Sequence, residues 1–172
     1  MQALEVWKAV TMDKSNFLDN LIALLSERQI RYCVIGGQGV NAYVEPLISL
    51  DLHLVVALSQ LELVESLLAQ HFKVERFPNS LNVSAAGSKL RVQIQTDPRY
   101  FEFADRAAVR DVLGLPLPVA RIEDILQGKI WAATDAGRRP NKRRKDLLDI
   151  GRLLETYPHL RDQVPAEIRD RL

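Results

Sequence analysis

The fold is indicated by one stretch of sequence, Arg31-Tyr32-Cys33-Val34-Ile35-Gly36-Gly37-Gln38-Gly39-Val40-Asn41-Ala42-Tyr43. Its first five residues are rich in β-branched and aromatic side chains, which favour a short strand. Two adjacent glycines follow, and glycine is the residue that most often marks a turn. The stretch therefore predicts a strand, a glycine turn and a short helix in close succession.

A second stretch, Leu50-Asp51-Leu52-His53-Leu54-Val55-Val56-Ala57, follows after a short connection. Apolar residues alternate with Asp51 and His53, which predicts a strand with one face in the core. Asp51 and His53 then point side by side from the other face. Such a pair can hold a divalent metal ion beside a phosphate. Gly36 and Gly37 would let backbone N–H groups at a helix start approach that phosphate closely.

Apolar residues at helical spacing predict helices in both halves of the chain. The first helix begins at an N-cap at Asp13 or Ser15. Ser59 followed by Glu62 is typical of a capping box, and the second helix begins there. From Arg121 onward the pattern is helical, with a basic cluster between two helices.

The remaining segments predict strands that complete a sheet. They lie near residues 73–77, 81–84 and 90–95, with a hairpin at 106–113 and 115–120. Prolines in that hairpin favour a position at the sheet edge. Since the strands come first and the helices last, the predicted fold class is α+β, with a central mixed β-sheet, flanking helices and a C-terminal helical segment.

Size and composition indicate one globular domain. The chain has 172 residues, of which 47% are hydrophobic and 26% charged, which excludes a disordered or fibrous protein. No apolar stretch approaches the roughly 20 residues that cross a bilayer, and the N-terminus has no secretory signal. We therefore expect a cytoplasmic protein without a membrane partner. The single cysteine, Cys33, lies among apolar residues and is expected to be buried rather than catalytic.

The charge of the chain is unevenly distributed. Six cations lie within eight positions, at Arg138, Arg139, Lys142, Arg143, Arg144 and Lys145. The rest of the chain is mildly acidic, since the formal net charge of the whole is +1. Such a cluster favours contact with the phosphates of a nucleotide or a nucleic acid, or is simply a solvated surface.

Several motifs occur together in the order and spacing of a known family. They are Val34–Tyr43, Pro46, Ser49–Leu54, Glu123–Ala132 and Lys142–Ile150. On these motifs, which span about residues 15–160, the chain resembles the polymerase β-like nucleotidyltransferase superfamily, in particular the small bacterial AbiEii-type abortive-infection toxins. The resemblance implies a nucleotidyltransferase-like core at residues 1–120, with helices at residues 121–172 packed on the same domain.

The resemblance also implies roles for individual residues. Gly36 and Gly37 match the turn that positions nucleotide phosphates. Asp51 matches the first metal ligand and the catalytic acid, and Lys129 matches a lysine that contacts the triphosphate. His53 stands where the family has a second aspartate, so the implied metal pair is Asp51 and His53.

Other positions depart from the family pattern. Gln93, or Gln95 if the alignment shifts by two, stands in place of the third acid, and Leu47 stands where relatives often have arginine. Two-metal transfer needs several carboxylates, His53 suits Mn²⁺ better than Mg²⁺, and glutamine cannot act as a base. Asp97 is a candidate replacement, although aspartate before proline is more often a turn residue.

Several of these residues have ordinary structural interpretations. Asp51 can be a solvent-facing strand residue, and Lys129 can extend its charged end from an apolar helix face to solvent. Asp146, Asp149 and Arg152 share one helix face, which favours ion pairs within that helix.

Three functions follow from this pattern. The favoured one is a non-catalytic or weakly active nucleotidyltransferase-fold protein that binds a nucleotide or a macromolecular partner, such as an antitoxin-like protein, through a degenerate cleft. The second is an active toxin-like enzyme that transfers NMP from an NTP to RNA or protein with Mg²⁺ or Mn²⁺. The third is a nucleic-acid-binding module that uses the cluster at residues 138–145. A cofactor is expected only if the protein is active.

Overall fold

A computed structural model describes residues 16–172. Its α-helices are α1 (Phe17–Glu27), α2 (Gly36–Asn41), α3 (Leu61–Ala69), α4 (Ile122–Thr134), α5 (Pro140–Thr156) and α6 (Ala166–Arg169). Its strands are β1 (Tyr32–Ile35), β2 (Asp51–Val56), β3 (Lys73–Phe77), β4 (Ser80–Ser84), β5 (Arg91–Gln95), β6 (Ala108–Val112) and β7 (Leu115–Val119). Short 3₁₀ segments lie at Leu58–Gln60, Pro98–Arg106 and Pro158–Gln163.

The seven strands form one mixed sheet in the order β3-β4-β5-β2-β1-β7-β6. Strand β2 lies near the centre, antiparallel to β1 and parallel to β5. The parallel register places Asp51 beside Arg91 and His53 beside Gln93. The predicted α+β class and the mixed sheet are therefore confirmed.

The prolines of the hairpin lie on an interior strand. Pro116 and Pro118 belong to β7, which lies between β1 and β6, whereas β6 is the edge. The hairpin therefore lies at the sheet edge, as predicted, with its prolines on the strand next to the outermost one. Strand β1 pairs with β7 only at Val34 and Val119. Pro116 and Pro118 have no backbone N–H group, but the pairing with β1 is too short for this to break a long series of hydrogen bonds.

Helix α3 begins without the predicted capping box. Ser59 lies in a 3₁₀ segment, and the N-cap of α3 is Gln60, with no side-chain hydrogen bond. A capping box needs Glu62 three residues after the cap, but Glu62 follows the cap by only two. This prediction was wrong because the 3₁₀ turn delays the helix start. The N-cap predicted at Asp13 or Ser15 lies outside the described residues.

Sheet and helices share one hydrophobic core. Leu52 and Leu54 of β2 are fully buried, together with Leu126 of α4 and Ile150 of α5. Burial of each such side chain stabilises the fold by about 1.5–3 kcal/mol. Cys33 is also buried, as predicted, and burial raises the pKa of its thiol to about 12. The division of the chain at residue 120 stays a prediction.

The described helices are too short or too polar for a bilayer. The longest, α5, has 17 residues and begins with the basic cluster. A spanning helix needs about 20 mostly apolar residues. Accordingly, none of the helices within residues 16–172 could cross a membrane.

Candidate functional site

A cleft of about 360 Å³ lies between the start of β2 and helix α5. Residues from the strand starts, the loop before β2 and the two long helices line it. They are Gly37, Asn41, Leu47, Ile48, Ser49, Leu50, Asp51, His53, Arg91, Lys129, Arg138, Lys142, Lys145, Asp146, Leu148, Asp149 and Arg152. The structure thus brings together Gly37, Asp51, His53 and Lys129, which the sequence analysis singled out.

Gly36 does not line the cleft but packs against His53, which does. Its backbone has φ +67°, in the left-handed region that favours glycine. A Cβ at this position would lie 2.8 Å from Nδ1 of His53. Gly36 therefore lets β1 end in a sharp turn with the His53 ring packed directly against the backbone. Helix α2 has only six residues, so its dipole adds little to an anion site.

The loop at residues 42–50, between α2 and β2, is held by two polar side chains. Asn41 donates from Nδ2 to the Leu47 carbonyl at 2.7 Å and accepts from the Leu47 N–H at 3.0 Å. Arg152 of α5 donates to Asn41 Oδ1 at 3.0 Å and to the Glu45 carbonyl at 2.6 Å. These bonds fix the apolar side chains of the loop at the cleft mouth.

Asp51 faces an arginine across the two parallel strands. Its Oδ1 lies 2.8 Å from Nε of Arg91, close enough for an ion pair. The contact lacks hydrogen-bond geometry, and this buried oxygen has no hydrogen-bond partner among the described residues. The Arg91 side chain is 71% exposed and extends over the cleft. The positive guanidinium of Arg91 therefore lies directly beside Asp51, the one carboxylate on strands β2 and β5.

His53 is neutral at physiological pH. Burial and the nearby Lys129 are the main causes that lower its pKa from 6.5 to about 4, with Lys142 and Arg138 adding to the effect. The neighbouring Asp51 opposes the shift only partly.

We predict that His53 makes folding stability depend on pH. Between about pH 4 and pH 6.5 the unfolded chain binds a proton on this histidine that the folded chain excludes, so the free energy of unfolding falls as pH is lowered through this window. Urea denaturation at pH 7 and pH 5 measures it. The loss on acidification should be smaller in His53→Asn than in the control His71→Asn, a change at the surface; equal losses would contradict the prediction.

A buried charge network joins α4 to α5. Nζ of Lys129 lies 3.3 Å from Oδ1 of Asp146 and 2.9 Å from Oδ2 of Asp149. Arg138 binds Asp146 with Nε–Oδ2 and Nη2–Oδ1 distances of 2.8 and 3.1 Å. Arg152 binds Asp149 at 2.7 Å. Asp146 is 1% exposed, so its charge is balanced inside the protein by two cations.

Only part of the basic cluster lines the cleft. Arg138, Lys142 and Lys145 line the cleft. Arg143 instead donates to the carbonyls of Ala133 and Asp135 at the end of α4. It lines a separate hollow. The six cations therefore do not share one surface for a nucleic acid.

The cleft carries an excess of positive charge. Its six cations are Arg91, Lys129, Arg138, Lys142, Lys145 and Arg152, and its three carboxylates are Asp51, Asp146 and Asp149. Asp146 and Asp149 are held by Lys129, Arg138 and Arg152. Lys142 and Lys145 have no carboxylate partner within the described part of the chain. Burial and the adjacent Arg138 lower the pKa of Lys142.

The donor set does not suit a divalent metal ion. Beside Asp51 the strands present His53, Gln93 and the cation Arg91, whereas Mg²⁺ needs several oxygen ligands with negative charge. Within residues 16–172 no group of three or more His, Cys, Asp or Glu could hold a metal. The assignment of Asp51 as catalytic and of Asp51 and His53 as metal ligands stays a prediction, and this geometry does not favour it.

Asp97 caps a 3₁₀ segment rather than replacing the missing acid. Its Oδ1 accepts from the Arg99 N–H at 3.0 Å, and its Oδ2 lies 2.8 Å from Nη2 of Arg99. The hydrogen bond from Arg99 lowers the pKa of Asp97. Asp97 is not among the cleft residues. The turn interpretation agrees with this position.

Sequence reasoning named Arg138, Lys142 and Lys145 within the basic cluster but did not separate them from the cations outside the cleft. Lys142, Lys145 and Arg152 recur at the spacing of one helix face, and this signal was available in the sequence. Arg91 could not be found in the same way, because its position beside Asp51 depends on the register of two strands that are distant in sequence.

The fold is that of a nucleotidyltransferase. The solution structure of the antibiotic-resistance factor ANT(2'')-Ia matches with a TM-score of 0.62 and 17% identity over 93% of this chain and 94% of that chain. Its crystal structure with adenylyl-2''-tobramycin matches with a TM-score of 0.62 and 16% identity over 91% and 97%. The lincosamide antibiotic adenylyltransferase LnuA, bound to lincomycin, matches with a TM-score of 0.54 and 12% identity over 82% and 98%.

The family is defined more closely by sequence. Residues 53–171 match the family described as nucleotidyl transferase AbiEii toxin, type IV TA system. The chain therefore belongs to the AbiEii nucleotidyltransferase family. The match begins at His53, so it does not include Gly36, Gly37 or Asp51. No curated protein sequence matches the chain.

Proposed function

We propose that this protein is a nucleotide-binding member of the AbiEii family that has lost efficient nucleotidyl transfer. The observation that carries the proposal is the cleft, which combines an excess of cations with exposed apolar side chains and has a single carboxylate, Asp51, on its strands. The toxin–antitoxin description of the family supports a further protein partner, antitoxin-like in kind. The proposal places the protein in the cytoplasm.

The cationic side of the cleft suits the phosphates of a nucleotide. Charge-assisted hydrogen bonds from lysine and arginine to phosphate are among the strongest polar contacts in proteins. Lys142 and Lys145 are available for them, since neither has a carboxylate partner among residues 16–172. Gly37 and Lys129 also line the cleft, and we include them as phosphate contacts in this proposal.

Exposed apolar side chains in the cleft suit a base. Leu47, Ile48 and Leu148 are 49%, 71% and 56% exposed, and all three line the cleft. Large apolar side chains exposed together often mark a ligand site. The position where relatives often have arginine is thus occupied by Leu47, which shifts this part of the cleft from anion binding to apolar contact.

Weak or absent transfer follows from the strand residues. A hydroxyl that attacks a triphosphate must lose a proton, and a neutral glutamine at Gln93 cannot accept it. The positive charge of Arg91 beside Asp51 also weakens the attraction of that carboxylate for metal ions. The cleft therefore supports binding better than phosphoryl chemistry.

Binding and transfer are tested separately. We expect calorimetric titration with ATP, GTP, CTP and UTP, each with Mg²⁺ and then Mn²⁺, to detect binding of at least one of them. We expect no label from these nucleotides in RNA or protein above the background of Asp51→Ala. Asp105→Ala, an exposed residue paired with Arg31, is the matched control. Incorporation that Asp51→Ala abolishes and Asp105→Ala retains would show an active enzyme instead.

The alternative function is metal-dependent transfer of NMP to RNA or protein. The observation in its favour is the buried Oδ1 of Asp51, which has no hydrogen-bond partner among the described residues and could accept a ligand. It requires Arg91 to move away and an acid from outside the strand pair to complete the site. The incorporation assay above distinguishes this alternative from binding alone.

A further inference from the structure

We propose that the cleft binds the polyphosphate of its nucleotide without a divalent metal ion, with Arg91, Lys142 and Lys145 as the phosphate contacts. This inference rests on the proposed function and adds to it the charge state of the ligand, which is the free nucleotide rather than its magnesium complex.

Arg91 supplies a fixed positive charge beside Asp51. The register pairs these two residues directly, and Nε of Arg91 lies 2.8 Å from Oδ1 of Asp51. A cation bound to this carboxylate oxygen would have to approach within about 2.1 Å of it, next to the guanidinium. The guanidinium therefore opposes metal binding and at the same time offers its outer N–H groups, on a side chain that is 71% exposed, to a phosphate.

The lysines supply the rest of the charge. Lys142 and Lys145 line the cleft three positions apart on α5, and residues at this spacing share a helix face. Arg138 lines the cleft together with both lysines, so positive charges are crowded here. Burial and the cation Arg138 lower the pKa of Lys142. An anion bound among them relieves that repulsion.

This arrangement reverses the usual effect of magnesium. A metal-dependent site binds the magnesium complex and loses affinity when the metal is chelated. Fixed cations instead attract the more negative free triphosphate more strongly than its magnesium complex. The sign of the magnesium effect therefore separates the two modes of binding.

The experiment is calorimetric titration of the protein with inorganic triphosphate and with NTPs, in EDTA and in excess Mg²⁺. We expect binding in EDTA and weaker binding in Mg²⁺. Lys142→Gln, Lys145→Gln and Arg91→Gln should each weaken binding in EDTA about tenfold, since each removes one charge-assisted contact. Asp51→Asn should strengthen binding in EDTA, because it removes a negative charge beside Arg91.

Arg139→Gln and Arg144→Gln are the matched controls, because they remove the same charge from the same cluster outside the cleft. We expect less than a twofold change from either. If they weaken binding as much as Lys142→Gln, the cations act through general attraction and the inference is wrong.

Two further outcomes separate the inference from the proposed function. Binding of an NTP that requires Mg²⁺ and is lost in Asp51→Asn would overturn the inference and leave nucleotide binding intact. Binding of inorganic triphosphate in EDTA without binding of any NTP would support metal-free phosphate recognition and overturn the proposed nucleotide ligand. Absence of binding to both probes would overturn both.

Discussion

Asp146→Asn should lower the free energy of unfolding by about 3–5 kcal/mol, because it removes a buried charge and leaves Arg138 without a counter-charge and Lys129 with Asp149 alone. Asp146 is 1% exposed and binds both Lys129 and Arg138. The substituted amide keeps the shape of the side chain but cannot balance the two cations. Urea denaturation, followed by circular dichroism, measures the change.

The matched control is Asp105→Asn, which breaks an ion pair with Arg31 whose two side chains are 55% and 62% exposed. An exposed pair contributes about 0–1 kcal/mol, so this change should be small. A double-mutant cycle with Arg138→Gln adds a second readout. The double variant should lose less stability than the two single variants together, since both break the same contact. Strictly additive losses would show that the network does not stabilise the junction of α4 and α5.

Gly36→Ala should cost about 3 kcal/mol of folding stability. The backbone at this position has φ +67°, and an alanine there costs about 1–2 kcal/mol. The new Cβ would also lie 2.8 Å from Nδ1 of His53. Overpacking of this kind adds about 1–3 kcal/mol. Thermal and urea denaturation measure the sum.

Gly37→Ala is the matched control for this change. A Cβ at Gly37 would find Ser49 Oγ at 3.9 Å, an ordinary contact, so the expected effect is close to zero. In a His53→Ala background Gly36→Ala should cost about half as much, because the ring contact is absent while the left-handed backbone and the 3.1 Å contact with Cβ of residue 53 remain. An equal cost in both backgrounds would show that the ring contact adds nothing, and a loss in Gly37→Ala equal to that in Gly36→Ala would contradict the whole explanation.

The local part of the fold could be predicted from the sequence. Alternation of apolar residues identified β2, and it correctly placed Asp51 and His53 on the same face. The helical pattern after Arg121 identified α4 and α5. Each of these inferences depends on neighbouring residues only, because the period of a helix or strand is a local property.

The order of the strands in the sheet could be predicted only in part from the sequence. The hairpin of β6 and β7 and its place at the sheet edge were predicted, but not which of its two strands is the outermost one. Whether a strand lies at an edge depends on which other strand pairs with it. For β7 that partner is β1, which is far away in sequence.

By itself, the sequence determined the order of helices and strands and the family resemblance, and it predicted that His53 and Gln93 stand in place of family carboxylates. Only the tertiary structure decided the electrostatics of the cleft. It placed Arg91 beside Asp51, turned Lys142 and Lys145 into the cleft and balanced Asp146 with cations from two separate segments. The physical reason is that the charge of a site is a sum over residues brought together from the whole chain, whereas a sequence pattern records only residues near one another along it.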